Sequence, residues 1–192
     1  MVTMKTHRSA PSGLAFEGLR GVDGRNHSLS SLAGARATVV VFIGNGCPTV
    51  RSYEDRLMAM ANAWRSTGVE LIAVNPNNAS LSPPDTLDQM IKRSSTRAYN
   101  FPYLKDEDGA VARSYGAVCT PHAFVLDSHR RIVYRGRIDD SRMGKTITSH
   151  DLENAVADVV AGRPVMVGET EPFGCSIVWR IIHRPVCRSV VR

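Results

Sequence analysis

Cys47 stands between an apolar run and a helical pattern, a position where a thiol can act as a nucleophile. The apolar run ends at residues 44–46, which read Gly-Asn-Gly, and Pro48 directly follows the cysteine. The unpaired N–H groups and the positive end of a helix stabilise an anion, and the thiolate is the reactive form of cysteine. The sequence therefore predicts an exposed, reactive thiol at Cys47. A buried, small apolar cysteine is the alternative.

Three further cysteines, Cys119, Cys175 and Cys187, form neither a CxxC pair nor the spacing of a zinc site. Cys119 is either a distant partner of Cys47 or a packed side chain. Cys175, near the C-terminus, is either a resolving thiol on a segment that folds back or a buried residue, and we expect Cys187 to be incidental. Nothing in the sequence requires a metal, a nucleotide or a flavin, so no cofactor is expected.

Periodicity places these cysteines on a pattern of alternating strands and helices. The residue patterns predict strands at 37–43, 69–74, 101–104, 123–126 and 132–135, and helices at 48–67, 85–97, 108–115 and from Ser149 onward. Turn signals predict an N-terminal hairpin within residues 14–36. The order of elements predicts an α/β fold in which a mixed sheet carries helices on both faces.

The chain divides into a predicted domain over residues 14–164 and a C-terminal extension over residues 165–192 that ends in a basic tail. The formal charge of +6 arises entirely in the two ends, +2 before residue 13 and +4 from residue 180 onward. A nucleic-acid surface would need a basic face interleaved with aromatic residues, and the part of the chain between the two basic ends does not supply one. No nucleic-acid partner is therefore expected. No apolar run is long enough to span a membrane, and no secretory signal is visible, which predicts a cytoplasmic protein.

Several separated segments carry a resemblance to a known family: NGCPTVRSYEDRL, FPYLKDEDGAVARSYGAVCTP, VYRGRIDDSR and GCSIVW. In this order they resemble the peroxiredoxin-like branch of the redoxin (AhpC/TSA) group, within the thioredoxin-like superfamily. The resemblance implies a thioredoxin-like fold with Cys47 as the nucleophile. It also implies a cis proline at Pro121, a loop with Thr120 that positions the substrate sulfur, and Cys119 close to Cys47.

The chain departs from both better-known branches of that superfamily. Val50 stands where thioredoxins have the second cysteine of their motif, so a resolving thiol two residues away is absent. Val40 and Gly44 stand where peroxiredoxins have the proline and threonine that shape the peroxide pocket. Any partner of Cys47 must therefore come from farther along the chain.

We expect a thiol-disulfide oxidoreductase of redox homeostasis in which Cys47 attacks and Cys119 or Cys175 resolves the product. Its partners would be a thiol or disulfide substrate and a reductant that the sequence does not identify. Two alternatives stay open: a thiol peroxidase with an antioxidant role, and a non-catalytic redox sensor or binding module. The oligomeric state is also open, with a homodimer among the options.

Overall fold

The structure, a computed structural model, describes residues 15–32 and 36–180 of the chain. The strands in chain order are β1 (Leu19–Gly21), β2 (Asn26–His27), β3 (Ala37–Phe42), β4 (Val69–Asn75), β5 (Tyr103–Lys105), β6 (Cys119–Thr120), β7 (His122–Asp127), β8 (Ile132–Gly136) and β9 (Cys175–Ser176). The α-helices are α1 (Pro48–Trp64), α2 (Leu87–Arg97), α3 (Ala110–Tyr115) and α4 (Asp151–Val160). The start of the predicted domain at residue 14, Cys187 and most of the two basic ends lie outside the described residues.

Seven strands form one mixed sheet in the order β2-β1-β5-β4-β3-β7-β8. The central strand β3 is parallel to β4 and antiparallel to β7. All six residues of β3 are buried, as an apolar, β-branched run predicts for a strand covered on both faces. The predicted mixed sheet and N-terminal hairpin are confirmed, since β1 and β2 pair in antiparallel fashion.

Alternation along β3 assigns its side chains to two separate cores. Val39 and Val41 pack in the core that contains residues of α1, α2 and α4, whereas Val40 and Phe42 pack in the core that contains residues of α3. Successive side chains of a strand point to opposite faces, so this division places helices on both faces of the sheet. The predicted fold class is confirmed.

The helix predicted to begin at residue 108 begins at Ala110, and two other helices also begin slightly later than their sequence patterns predict. The helix expected from Asp85 begins after Thr86, because the Asp85 side chain is fully buried in other hydrogen bonds. The last helix is capped at His150, not at Ser149, whose hydroxyl donates a hydrogen bond to Asp151 instead. At the starts of α2 and α4, a side chain that could cap the helix already makes a hydrogen bond to another group.

The described part of the C-terminal extension crosses the molecule from the outer strand of the sheet toward the end of β3. It first runs beside β8, where Arg135 N–H donates to the Gly168 carbonyl and Thr170 N–H donates to the Arg135 carbonyl. It then forms β9, which pairs with β6 in antiparallel register. We call residues 173–180 the strap. The strap lies across the place where Cys47 is found.

Candidate active site

Cys47 is the residue that caps α1. Its backbone is extended, its sulfur accepts a hydrogen bond from Val50 N–H at 3.4 Å, and Pro48 occupies the first helical position. The expected position at the head of a helix is therefore correct, but the expected exposure is wrong. Only 4 % of Cys47 is accessible to solvent, because Cys175 of the strap and the Thr120 carbonyl both contact its sulfur.

A buried carboxylate holds the loop that leads into Cys47. Asp85 accepts a hydrogen bond from the backbone N–H of Asn45 at 2.7 Å, and the Asn45 side chain is itself held by the Pro84 carbonyl and the Tyr103 hydroxyl. Three further side chains donate to the same carboxylate: Asn75, Asn77 and Ser82. This network fixes the backbone two residues before the thiol. The sequence gives no sign of this network, because Asp85 stands at a predicted helix start, where an acidic residue is typical without any buried partner.

Thr120 and Pro121 form the second wall of the site. The peptide bond between them is cis, and both residues are buried. The Cys47 thiol donates to the Thr120 carbonyl oxygen at 3.1 Å. The loop named by the resemblance is thus in direct contact with the thiol.

Cys175 is the cysteine that reaches Cys47. The two Sγ atoms are 2.7 Å apart, and both residues are free thiols. Cys175 lies opposite Thr120 in the pairing of β9 with β6, and it is half-buried. A disulfide bond is about 2.05 Å long, so a small movement of the strap would allow the two sulfurs to bond.

The surroundings of the two thiols push their pKa values apart. Burial alone raises the pKa of Cys47, but hydrogen bonds from Cys175 and from Val50 N–H outweigh burial and lower that pKa from its ordinary value. Burial raises the pKa of Cys175, and its hydrogen bond to Cys47 raises the pKa further. Of the two thiols, Cys47 is therefore the one that loses its proton more readily, with Cys175 as the hydrogen-bond donor beside the resulting thiolate.

Cys119 is placed differently from Cys175. Its sulfur contacts the Pro121 carbonyl at 3.5 Å, and the hydrogen bonds of the described residues do not join it to Cys47. Burial, followed by the nearby charges of Cys47, Glu171 and Cys175, raises the pKa of Cys119 to about 11. Cys119 is thus held as a thiol at neutral pH.

His122 follows Pro121 but has a structural role in the described region. Its Nδ1 atom accepts a hydrogen bond from Val118 N–H at 3.3 Å, and its ring packs on Phe124. Burial, together with the charge of Arg135, lowers the pKa of His122 to about 4, so the ring is neutral. Across residues 15–32 and 36–180, groups of three or more metal-ligating side chains are not found together.

The strap is held against the site by close packing. A Cβ atom on Gly174 would lie 2.1 Å from the Thr120 carbonyl oxygen, so only glycine permits this approach. The Phe173 ring packs on the Tyr53 ring of α1, with the centroids 6.3 Å apart. Ile177 is buried in the core on the α3 side of the sheet. The sequence gives no local sign of these contacts, because β6 and β9 are only two residues long each.

Comparisons with known proteins agree with this fold. The model of the AhpC/TSA family matches residues 9–135. An uncharacterised conserved protein from Geobacillus kaustophilus is 37% identical, with a TM-score of 0.82 over 90% of this chain and 91% of its own. A hypothetical protein from Sinorhizobium meliloti 1021 is 35% identical, with a TM-score of 0.80 over 90% of this chain and 97% of its own.

A more distant structure shows the same fold. The thioredoxin domain of a thiol-disulfide oxidoreductase from Bacteroides vulgatus is 22% identical, with a TM-score of 0.60 over 82% of this chain and 99% of its own. No curated protein sequence matches the chain. In the part of the chain that the structure describes, no helix combines the length and the apolar character needed to cross a membrane.

Proposed function

The chain belongs to the AhpC/TSA family and is a redoxin, and from this premise we propose that it performs thiol-disulfide exchange through Cys47 and Cys175. The observation that carries the proposal is the 2.7 Å contact between the two sulfur atoms. Cys47 caps a helix and has a lowered pKa, as an attacking thiol needs. Cys175 is the neighbouring thiol that can resolve the product.

The first step is the attack of the Cys47 thiolate on one sulfur of a substrate disulfide. A new sulfur–sulfur bond forms between Cys47 and that sulfur, the substrate disulfide breaks, and the second substrate sulfur leaves as a thiolate that takes up a proton. In the resting thiol, the Cys47 S–H donates a hydrogen bond to the Thr120 carbonyl oxygen. Once the proton is lost, Val50 N–H and the Cys175 thiol stabilise the anion.

In the second step the Cys175 thiol loses its proton and attacks the Cys47 sulfur. This attack forms the Cys47–Cys175 disulfide and releases the remaining half of the substrate as a thiol. The substrate has then gained two electrons and two protons from the two cysteines. An external dithiol reductant returns the pair to the reduced state, so the proposed partners are a disulfide substrate and a dithiol reductant.

A small disulfide such as cystamine tests this sequence of steps. We expect the reduced wild-type protein to form an internal disulfide and to release both halves of cystamine as cysteamine, measured by intact mass after acid quenching. Cys175→Ser should stop at a cysteamine adduct on Cys47, because the resolving thiol is absent. Cys119→Ser should behave like the wild-type protein.

Two results would overturn the assignment. Full reaction of Cys47→Ser would remove Cys47 from the chemistry. Accumulation of the adduct in Cys119→Ser, with normal resolution in Cys175→Ser, would make Cys119 the resolving thiol instead.

Reduction of hydroperoxides is the second candidate, and the burial of Cys47 favours it. With 4 % of the residue accessible, a small oxidant reaches the sulfur more readily than a large one. Cys47 would take one oxygen to become a sulfenic acid while the peroxide leaves as an alcohol, and Cys175 would then form the disulfide and release water. Stoichiometric hydrogen peroxide separates the candidates: consumption with disulfide formation supports a peroxidase, and unchanged thiols exclude it.

A further inference from the structure

We infer that the strap selects the substrate: it excludes protein disulfides from Cys47 and admits small disulfides. The inference rests on the proposed function and adds the class of substrate to it. Three features of the strap carry the argument: the backbone edge that it occupies, the closeness of its fit, and the anchors at its far end.

The strap is paired with β6, the strand whose Thr120 carbonyl contacts the Cys47 sulfur. Thr120 pairs with Cys175 and Cys119 pairs with Ser176, so β9 occupies the edge of β6 on which these pairs form. An extended protein segment that brings a disulfide to Cys47 would bind most readily by adding a strand at this same edge. That position is already taken by the protein's own chain.

The fit leaves no room for a second chain beneath the strap. Gly174 approaches the Thr120 carbonyl so closely that a single added carbon would overlap it, at 2.1 Å. Phe173 lies on Tyr53 of α1, and Ile177 is only 5% exposed. A bound protein segment would therefore have to displace the strap and could not lie below it.

The C-terminal end of the strap is held by the loop that follows β4 and by α3. Val178 N–H donates to the Asn77 side chain at 2.9 Å, and Asn78 N–H donates to the Val178 carbonyl at 2.7 Å. The Trp179 ring lies 4.7 Å from the Arg113 guanidinium carbon. It also contacts Gly109. The strap is thus held on both sides of Cys175.

These contacts make access to the Cys47 sulfur depend on the size of the disulfide substrate. A protein disulfide reacts only in the fraction of molecules whose strap is open, so its apparent rate is the rate of the open form multiplied by that fraction. A small disulfide does not need the edge of β6, and it has to reach only the part of the thiol pair that stays accessible, 4 % of Cys47 and the half-buried Cys175. The ratio of the rate with a protein disulfide to the rate with a small disulfide therefore measures the fraction of molecules whose strap is open.

Two variants loosen the strap while keeping both thiols. Gly174→Ala forces it away from Thr120, and Trp179→Ala removes the anchor at its far end. Met166→Ala is the matched control, because this large apolar side chain lies before the strap and is 86% exposed. Each reduced protein is mixed with cystamine or with insulin, and the rate of Cys47 oxidation is measured by acid quenching and mass spectrometry.

We expect the ratio of the insulin rate to the cystamine rate to rise about tenfold or more in both loosened variants, as the open fraction increases. In Met166→Ala the ratio should equal that of the wild-type protein. An unchanged ratio in Trp179→Ala would overturn the inference even if Gly174→Ala fails to fold. A wild-type protein that is oxidised by insulin as fast as by cystamine would also overturn it.

Failure of the proposed function gives a different result. If Cys47 of the wild-type protein reacts with neither insulin nor cystamine, the exchange chemistry is wrong, and the inference falls with it. If cystamine reacts and the ratio does not respond to the strap, only the selection of substrates by size is wrong.

Discussion

Oxidation should stabilise the folded protein strongly, because the bond between Cys47 and Cys175 would close most of the chain into one loop. The two residues are 128 positions apart. In the chain-entropy description, a cross-link over about 128 residues removes enough disorder from the unfolded chain to stabilise the fold by about 5 kcal/mol at 25 °C. Strain in the folded state reduces this gain, and measured disulfides contribute about 2–5 kcal/mol.

Urea unfolding measures this stabilisation directly. With a urea dependence of about 2 kcal/mol per molar, a stabilisation of 2–5 kcal/mol moves the midpoint upward by about 1–2.5 M. The reduced protein is held in excess dithiothreitol, and the oxidised protein is prepared with cystamine and freed of excess reagent. Tryptophan fluorescence and circular dichroism should give the same midpoint if unfolding is two-state.

Cys175→Ser is the matched control, because it changes one sulfur to oxygen and cannot form the bond. After oxidation it carries a cysteamine adduct on the buried Cys47 and no cross-link, so its midpoint should not rise. The reasoning would be refuted if oxidised and reduced wild-type proteins unfolded at the same urea concentration. It would also be refuted if Cys175→Ser gained as much stability on oxidation as the wild-type protein.

Three further predictions concern the thiols and a buried ion pair. Alkylation of Cys47 by iodoacetamide should reach half its maximal rate at a lower pH than alkylation of free cysteine, because the thiolate reacts and its pKa is lowered; a midpoint at or above that of free cysteine would contradict the site. In Cys175→Ala that midpoint should move to higher pH, because a donor to the thiolate is lost, and peptide mapping identifies the alkylated residue. Glu54→Gln should destabilise the protein by about 1–2 kcal/mol in urea unfolding, because Glu54 is buried and pairs at 2.6 Å with Arg93, which stays partly exposed, and a loss below about 0.5 kcal/mol would contradict this role.

Local pattern was sufficient to predict most of the fold. The buried run that forms β3, the glycines after it and the apolar spacing of α1 are contiguous in the chain, so strand, turn and helix could be predicted together. The position of Cys47 at the head of α1 follows from the same contiguous segment. The ends of helices were less predictable, because Asp85 and Ser149 direct their side chains to distant or competing partners.

The surroundings of Cys47 could be predicted only in part. Cys175 was a candidate partner, but its contact depends on the path of a long segment after α4, and the two-residue strands β6 and β9 leave almost no periodic signal. The burial of Cys47 has the same origin, since a distant segment lies against it. The role of Asp85 was missed because the donors that make it a buried anchor come from three separate loops and strands.

A peptide map of the oxidised protein shows whether Cys175 is the redox partner of Cys47. The reduced wild-type protein is oxidised with one equivalent of cystamine, the remaining thiols are blocked, and the protein is digested and mapped by mass spectrometry without reduction. We expect one cross-linked peptide pair that joins Cys47 to Cys175, with Cys119 recovered as a blocked thiol. A pair that joins Cys47 to Cys119, or a Cys175 recovered entirely as a blocked thiol, would contradict the claim.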